Sequence, residues 1–238
     1  MSDSQAVVPT SSHENAHSPA LLHHFASEEQ QKDASNLGMW IFLGTEVMFF
    51  GGLFCAYLIY RRWYFGDFAA ASTSINALLG GINTAVLICS SLTVVLAIWA
   101  AQTGRRAIML GTLALTMLFG LAFLGIKGVE YKEKFDEHHV PGASFKFDQA
   151  PIPGHPDQYA NPQHAQIFFA LYFIMTGLHA LHMIVGLGIF TWLFWMAWKG
   201  RFTPEYHTPL EIGGLYWHFV DIVWIYLFPL LYLIDRHK

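Results

Sequence analysis

The chain has 238 residues, of which 54% are hydrophobic, 16% aromatic and only 13% Asp, Glu, Lys or Arg, about half of the roughly 25% charged residues usual in a soluble domain. That much apolar surface excludes a disordered chain and argues against an ordinary water-soluble enzyme. The formal net charge of −4 offers no basic stripe to neutralise a phosphate backbone, so no nucleic-acid partner is expected.

In chain order, residues 1–36 carry Asp3, Glu14, Glu28, Glu29 and Asp33 against the single Lys32. They lack the basic start, apolar core and small-residue cleavage site of a signal peptide. An acidic, His-containing extramembrane tail is expected there. Five apolar stretches follow, at Leu37–Tyr60, Ala77–Ala101, Ala107–Ile126, Ala165–Trp198 and Ile212–Ile234, and among the 30 charged residues only Glu46 and Asp221 fall inside them. A hydrocarbon core of about 30 Å needs roughly 20 helical residues, and backbone amides in lipid must be satisfied within the segment. The expectation is an all-α membrane protein: a tail over 1–36, then one transmembrane domain over 37–238 with helices at about 37–60, 77–101, 107–126, 165–198 and 212–234. At 34 residues the fourth stretch would run to about 51 Å, so it must tilt or project beyond the bilayer. The connection from Lys127 to His164 holds five of the ten prolines and is expected to be an ordered extramembrane loop.

Cys55 and Cys89 lie inside apolar runs, where a thiol behaves as a small hydrophobe, and neither a disulfide framework nor a thiolate metal site is expected. Small residues such as Gly52 and Ala56 allow close helix contact. Most of the tryptophans fall near segment ends, as in an interfacial aromatic belt.

Three intramembrane constellations carry the chemistry. Glu46 lies at the tenth position of the first stretch, where a free carboxylate would cost at least about 2.5 to 3.5 kcal/mol, so it is expected to be protonated or paired within the protein. His218 and Asp221 share a helix face at i and i+3, and Trp217 joins Asp221 at i and i+4; they suit interhelical hydrogen bonding or a proton relay. His179 and His182, again at i and i+3, have the spacing of a metal-ligating pair in a bundle. A metal site there would need further ligands facing the pair, and the other intramembrane candidates are His218, Glu46 and Asp221. Lys199 and Arg201 after the fourth stretch, with Arg105 and Arg106 before the third, can meet anionic head groups at about 1 kcal/mol per charge.

Several separated motifs, in order, resemble subunit III of the haem-copper cytochrome c oxidases. They are Leu37-Gly38-Met39-Trp40 leading to Glu46-Val47-Met48-Phe49-Phe50-Gly51, Asn83-Thr84 with Ser90-Ser91, and Gly128-Val129-Glu130-Tyr131. Thr176-Gly177-Leu178-His179-Ala180-Leu181-His182 with Gly186 and Tyr216-Trp217-His218-Phe219-Val220-Asp221-Ile222-Val223-Trp224 complete the set. The resemblance covers roughly residues 36 to 236. Larger members of that family have seven transmembrane helices, two of which form one arm of a lipid-holding V-shaped cleft. This chain is similar to the shorter, five-helix bacterial form without its first two helices. Part of the cleft wall would then come from another subunit or from the tail carrying His23 and His24.

The resemblance implies a non-catalytic accessory subunit, with no catalytic residue, haem, copper or other metal of its own. It implies assembly with cytochrome c oxidase subunits I and II, bound phospholipid, support of proton uptake and, as an open possibility, membership of a larger respiratory supercomplex. The complex oxidises cytochrome c, reduces dioxygen to water and pumps protons across a bacterial inner membrane. Glu46 matches the family's carbodiimide-reactive, proton-linked carboxyl. Glu130, Tyr131, His179, His182, His218 and Asp221 fall in its motifs as a structural polar network, and Lys199, Arg201, Arg105, Arg106 and His24 are lipid-binding candidates. Family topology implies a cytoplasmic N-terminus. The positive-inside rule opposes it: Lys32, Arg105, Arg106, Lys199 and Arg201 would lie inside, against Arg61, Arg62, Lys127, Lys132, Lys134, Lys146, Arg236 and Lys238 outside.

Alternatives are the matching subunit of a quinol oxidase or nitric oxide reductase assembly, a stand-alone proton channel using Glu46 and Asp221, and a membrane metalloenzyme using His179, His182 and His218. The Glu46-Val47-Met48-Phe49-Phe50 stretch favours the cytochrome c branch. The inverted repeats and broken helices common in transporters are not visible.

Overall fold

The computed structural model describes residues 28–142, 145–147 and 150–234. Six helices, α1 (Glu28–Trp63), α2 (Phe65–Thr73), α3 (Ala77–Gln102), α4 (Arg106–Asp136), α5 (Pro162–Trp198) and α6 (Thr208–Tyr232), account for most of it, with a small antiparallel hairpin of β1 (Pro151–Ile152) and β2 (His155–Tyr159) between α4 and α5. All except α2 are long and apolar enough to cross a membrane. The chain is a multi-pass, all-α membrane protein.

The spans expected from the apolar stretches are all present, and the differences lie at their ends. α1 starts at Glu28, ahead of its apolar run, and α4 continues ten residues past Ile126 to Asp136. Hydropathy marks where a helix leaves the hydrocarbon, whereas helical hydrogen bonding carries on into water when propensity allows. The Lys127 to His164 connection therefore begins as helix. The extra turns of α4 hold Lys127, Glu130 and Lys134 on its buried face. Another difference is α2, a short helix within the Arg61 to Ser74 connection, whose Phe68–Ser72 segment is buried. At 37 residues, α5 reaches about 55 Å and projects beyond a bilayer core, as its length requires.

Local signals set the helix ends. Asn76 caps α3 by accepting from the Leu78 and Leu79 amides at 3.1 and 3.3 Å, and Asn161 caps α5 ahead of Pro162 by accepting from Gln163 at 2.9 Å. Gly104 and Gly200, at φ of 70° and 73°, close α3 and α5 in the left-handed conformation that glycine adopts without strain.

α3 packs along α4 and α6, α5 against α4 and α6, and α1 along α6 and α5. α6 is thus the most enclosed span, and its Trp217 and Trp224 are among the largest fully buried side chains. Trp217 fits because glycines face it: a Cβ at Gly120 would stand 2.9 Å from its ring, and one at Gly186 3.0 Å. Close backbone approach at small residues substitutes here for the hydrophobic driving force that lipid does not supply.

Each end of the bundle has its own polar ties. At the end holding the start of α1, Glu211 gathers Gln102 at 3.3 Å, His207 at 3.1 Å and Lys32 at 3.7 Å. At the other, Asp67 of α2 accepts from the Asn161 amide at 2.9 Å and meets His164 Nδ1 at 2.6 Å, with the imidazole stacked on Tyr64.

Candidate functional site

Glu46 of α1 and His182 of α5 meet between their helices, Oε2 to Nε2 at 3.2 Å. The other ring nitrogen, Nδ1, lies 2.8 Å from the Leu178 carbonyl oxygen. A carbonyl only accepts, so Nδ1 carries a hydrogen. Nε2 then faces Glu46 either as a lone pair met by a protonated carboxyl, or as the N–H of an imidazolium met by a carboxylate. In both forms one proton is held between the two residues, and a contact without it has no hydrogen. Phe50 lies edge-on to the imidazole at 5.4 Å, and the Tyr216 hydroxyl donates to the His182 carbonyl at 3.0 Å. Side-chain exposures of 19% for Glu46 and 16% for His182 place the pair in a low-dielectric setting, where a single proton governs the interaction strongly.

A second cluster ties α4 to α5 and α6. Lys127 Nζ donates to Glu130 Oε2 at 3.1 Å, to the Tyr232 hydroxyl at 2.6 Å and to the Tyr172 hydroxyl at 3.3 Å. Both tyrosines in turn donate to Glu130 Oε1, at 2.7 Å from Tyr172 and 2.5 Å from Tyr232. The ammonium also lies 4.8 Å from the Trp224 ring centre, a cation–π distance. Every donor of Lys127 and both oxygens of Glu130 are used, which is what makes a buried ion pair tolerable. Next to it the Tyr131 hydroxyl bonds Thr176 Oγ1 at 2.5 Å.

The remaining sequence candidates separate. His218 does not bond Asp221; its Nδ1 meets Ser91 Oγ of α3 at 2.7 Å. The Trp217 indole donates to Ser90 Oγ at 3.0 Å, and Asp221 is buried with Ser91 next to its carboxyl. His179 and His182 diverge although they are one turn apart: His182 turns to α1, and His179 packs between Phe123 and Trp224 with neither ring nitrogen hydrogen-bonded among the described residues. Among the described residues no three His, Cys, Asp or Glu side chains form a metal-binding group.

The basic candidates collect at the end of the bundle holding the start of α1. Arg106 donates to the Trp198 carbonyl, Lys199 Nζ stands 3.9 Å over the Trp195 ring and Arg105 5.1 Å over that of Trp99. Arg201 is exposed. Aromatic and basic side chains share one rim, as at a membrane interface. His24 lies outside the described residues.

Lys127, Tyr172, Tyr232 and Ser91 carry contacts that reading for apolar stretches did not assign. The available signal was helical spacing across the end of the third stretch, since Phe123, Lys127, Glu130 and Lys134 recur on one face.

The family model described as cytochrome c oxidase subunit III matches residues 21–145 and 162–235. The chain belongs to the cytochrome c oxidase subunit III family. It is 32% identical over 199 residues to the "Probable cytochrome c oxidase subunit 3" of Nocardia farcinica, covering 84% of this chain and 87% of that one. The chicken "Cytochrome c oxidase subunit 3" is 29% identical over 212 residues, with 82% of this chain and 67% of the relative covered. The "Cytochrome bo(3) ubiquinol oxidase subunit 3" of Pseudomonas putida is 29% identical over 201 residues, covering 83% and 84%. Membership implies a place in a complex with other subunits, and the polar clusters Glu46–His182 and Lys127–Glu130 both draw on residues within the matched segments.

Proposed function

We propose that the chain is the non-catalytic subunit III of a proton-pumping haem-copper cytochrome c oxidase in a bacterial inner membrane, bound to subunits I and II. Haem and copper belong to those partners, and this chain contributes stability to subunit I, bound phospholipid and support of proton uptake. The observation that carries the reading is the family match along both halves of the chain. The Glu46–His182 pair adds chemical sense to it, because a contact built around one proton suits a subunit that assists proton uptake. The rim formed by Arg105, Arg106, Lys199 and their tryptophans suits anionic head groups. A cytoplasmic N-terminus puts this rim on the cytoplasmic side. The charge count opposing that topology includes Lys127 and Lys134, which lie on the buried face of α4 rather than in a loop.

The experiment is affinity purification of the tagged chain in mild detergent, followed by a reduced-minus-oxidised visible spectrum and metal analysis before and after the chain is stripped from its partners. Haem and copper that co-purify and remain with the partners on stripping are the expected result. Metal retained stoichiometrically by the isolated chain overturns the reading. A second reading, subunit III of a quinol oxidase, is favoured by the similarity to the Pseudomonas putida protein; oxidation of quinol rather than cytochrome c by the purified complex selects it.

A further inference from the structure

Two lipid-facing troughs flank α6 and share one polar side chain. The first, of about 350 Å³, lies between α3 and α6 with Ile88, Leu92 and Val95 on one wall and Ile222 and Ile225 on the other; the second, of about 500 Å³, lies between α1 and α6. His218 and Ile222 line both. The walls are open, with Leu92 59% and Ile222 51% exposed, so the face is a shallow concavity rather than the enclosing cavity of a small-molecule site.

His218 is half-buried in the middle of this face. Ser91 holds its Nδ1 at 2.7 Å, and no described residue hydrogen-bonds Nε2. The neighbouring indole N–H groups are committed elsewhere, Trp217 to Ser90 and Trp224 to Thr84. One turn further on, Asp221 is buried beside the same trough, with Ser91 next to its carboxyl. Polar capacity is thus concentrated at one point of an otherwise apolar face.

Depth decides what can answer it. His218 stands ten residues after the start of α6 at Thr208 and fourteen before its end at Tyr232, or about 15 and 21 Å along the axis. Phospholipid head groups lie beyond reach of that position across a core of about 30 Å. Acyl chains offer neither donor nor acceptor, so an open imidazole nitrogen facing them is costly. A second transmembrane helix does offer such groups, and interhelical hydrogen bonds are the polar glue of membrane interfaces.

We propose that the trough between α3 and α6 seats a transmembrane helix of a partner subunit, whose hydroxyl or amide side chain hydrogen-bonds His218 Nε2 at mid-membrane depth. This rests on the reading that the chain is an oxidase subunit. Ile88, Leu92 and Val95 on one side and Ile222 and Ile225 on the other form the ridges between which that helix packs, and Ser91 fixes the imidazole in the wall of the trough.

The test is photo-crosslinking in native membranes, with benzoylphenylalanine placed at Leu92 or Ile222 of the full chain and, for comparison, at Leu121 on α4, which is 58% exposed. Both replaced side chains face outward, so the substitutions spare the core. Leu92 and Ile222 should yield adducts with a larger oxidase subunit, and Leu121 should not. His218→Phe should lower the Leu92 adduct roughly threefold or more, with His218→Gln restoring most of it, as loss and return of one interhelical hydrogen bond require. Adducts at Leu92 and Ile222 with lipid or a membrane-dissolved small molecule alone, in chain that still co-purifies with haem-bearing partners, overturn this inference and leave the proposed function standing. Chain that co-purifies with no oxidase subunit overturns both.

Discussion

Lys127 Nζ and Glu130 Oε2 lie 3.1 Å apart on α4 with side-chain exposures of 4% and 1%, an ion pair closed off by two tyrosine hydroxyls from α5 and α6. Three spans therefore share one polar knot. The free energy of such a knot resides mostly in the penalty for breaking it, since either charge left alone is uncompensated.

Lys127→Met should accordingly destabilise the chain by about 3 to 5 kcal/mol, whereas Lys127→Met combined with Glu130→Gln should recover much of the loss, because the amide is neutral and still bonds Tyr172 and Tyr232. Thermal unfolding of the purified complex, followed by release of this chain, reads both variants. Equal losses in the single and double variants would show that the charge of Glu130 is irrelevant.

Tyr232→Phe and Tyr172→Phe each remove a donor to Glu130 Oε1. Each should cost about 1 to 3 kcal/mol, as for a hydrogen bond to a charged group, and the double variant should depart from additivity because the hydroxyls share one acceptor. The same unfolding assay, run as a double-mutant cycle, gives the coupling directly.

Glu46→Gln keeps a partner for His182 Nε2, the amide N–H for its lone pair or the amide oxygen for its N–H, but removes the titratable carboxyl. Stability should change by less than about 1 kcal/mol, while carbodiimide labelling at position 46 disappears and proton uptake by the complex slows. Glu46→Leu should differ from it by losing the His182 contact as well. Proton-uptake kinetics unchanged in both variants would remove the pair from any proton-linked role.

Gly120→Ala directs a methyl group to within 2.9 Å of the Trp217 ring, a rigid indole fixed by its bond to Ser90. Overpacking of this kind costs about 1 to 3 kcal/mol. Gly125→Ala, on the same helix with open space around it, should instead be neutral or slightly stabilising through helix propensity. Detergent stability of the two variants side by side checks the contrast.

Arg201 is the cleanest probe of the basic rim, since Arg106 is occupied by the Trp198 carbonyl. Arg201→Ala should lower the phospholipid retained by the purified complex, with a loss of about 1 kcal/mol of head-group attraction. Native mass spectrometry of the complex counts the lipid; an unchanged lipid complement would count against Arg201 as a contact.

From the chain alone, the five spans, the membrane class and the family were legible, because a bilayer forces long uninterrupted apolar runs and those runs leave charges only where they have a reason to be. Glu46 and Asp221 stood out on that ground. What hydropathy could not register was the reach of α4 past Ile126, since a lysine and a glutamate at a helix end look the same whether they face water or one another. Nor could it say which histidine meets which acid. The i, i+3 spacing of His179 with His182 and of His218 with Asp221 indicated a common face, but neighbouring helices supplied the partners, sending His182 to Glu46 and His218 to Ser91. Long-range partners depend on which spans lie side by side, and that is decided by the glycines that admit Trp217 and by the packing of α6 against α1, α3 and α5, properties of the assembled bundle rather than of any one stretch of sequence.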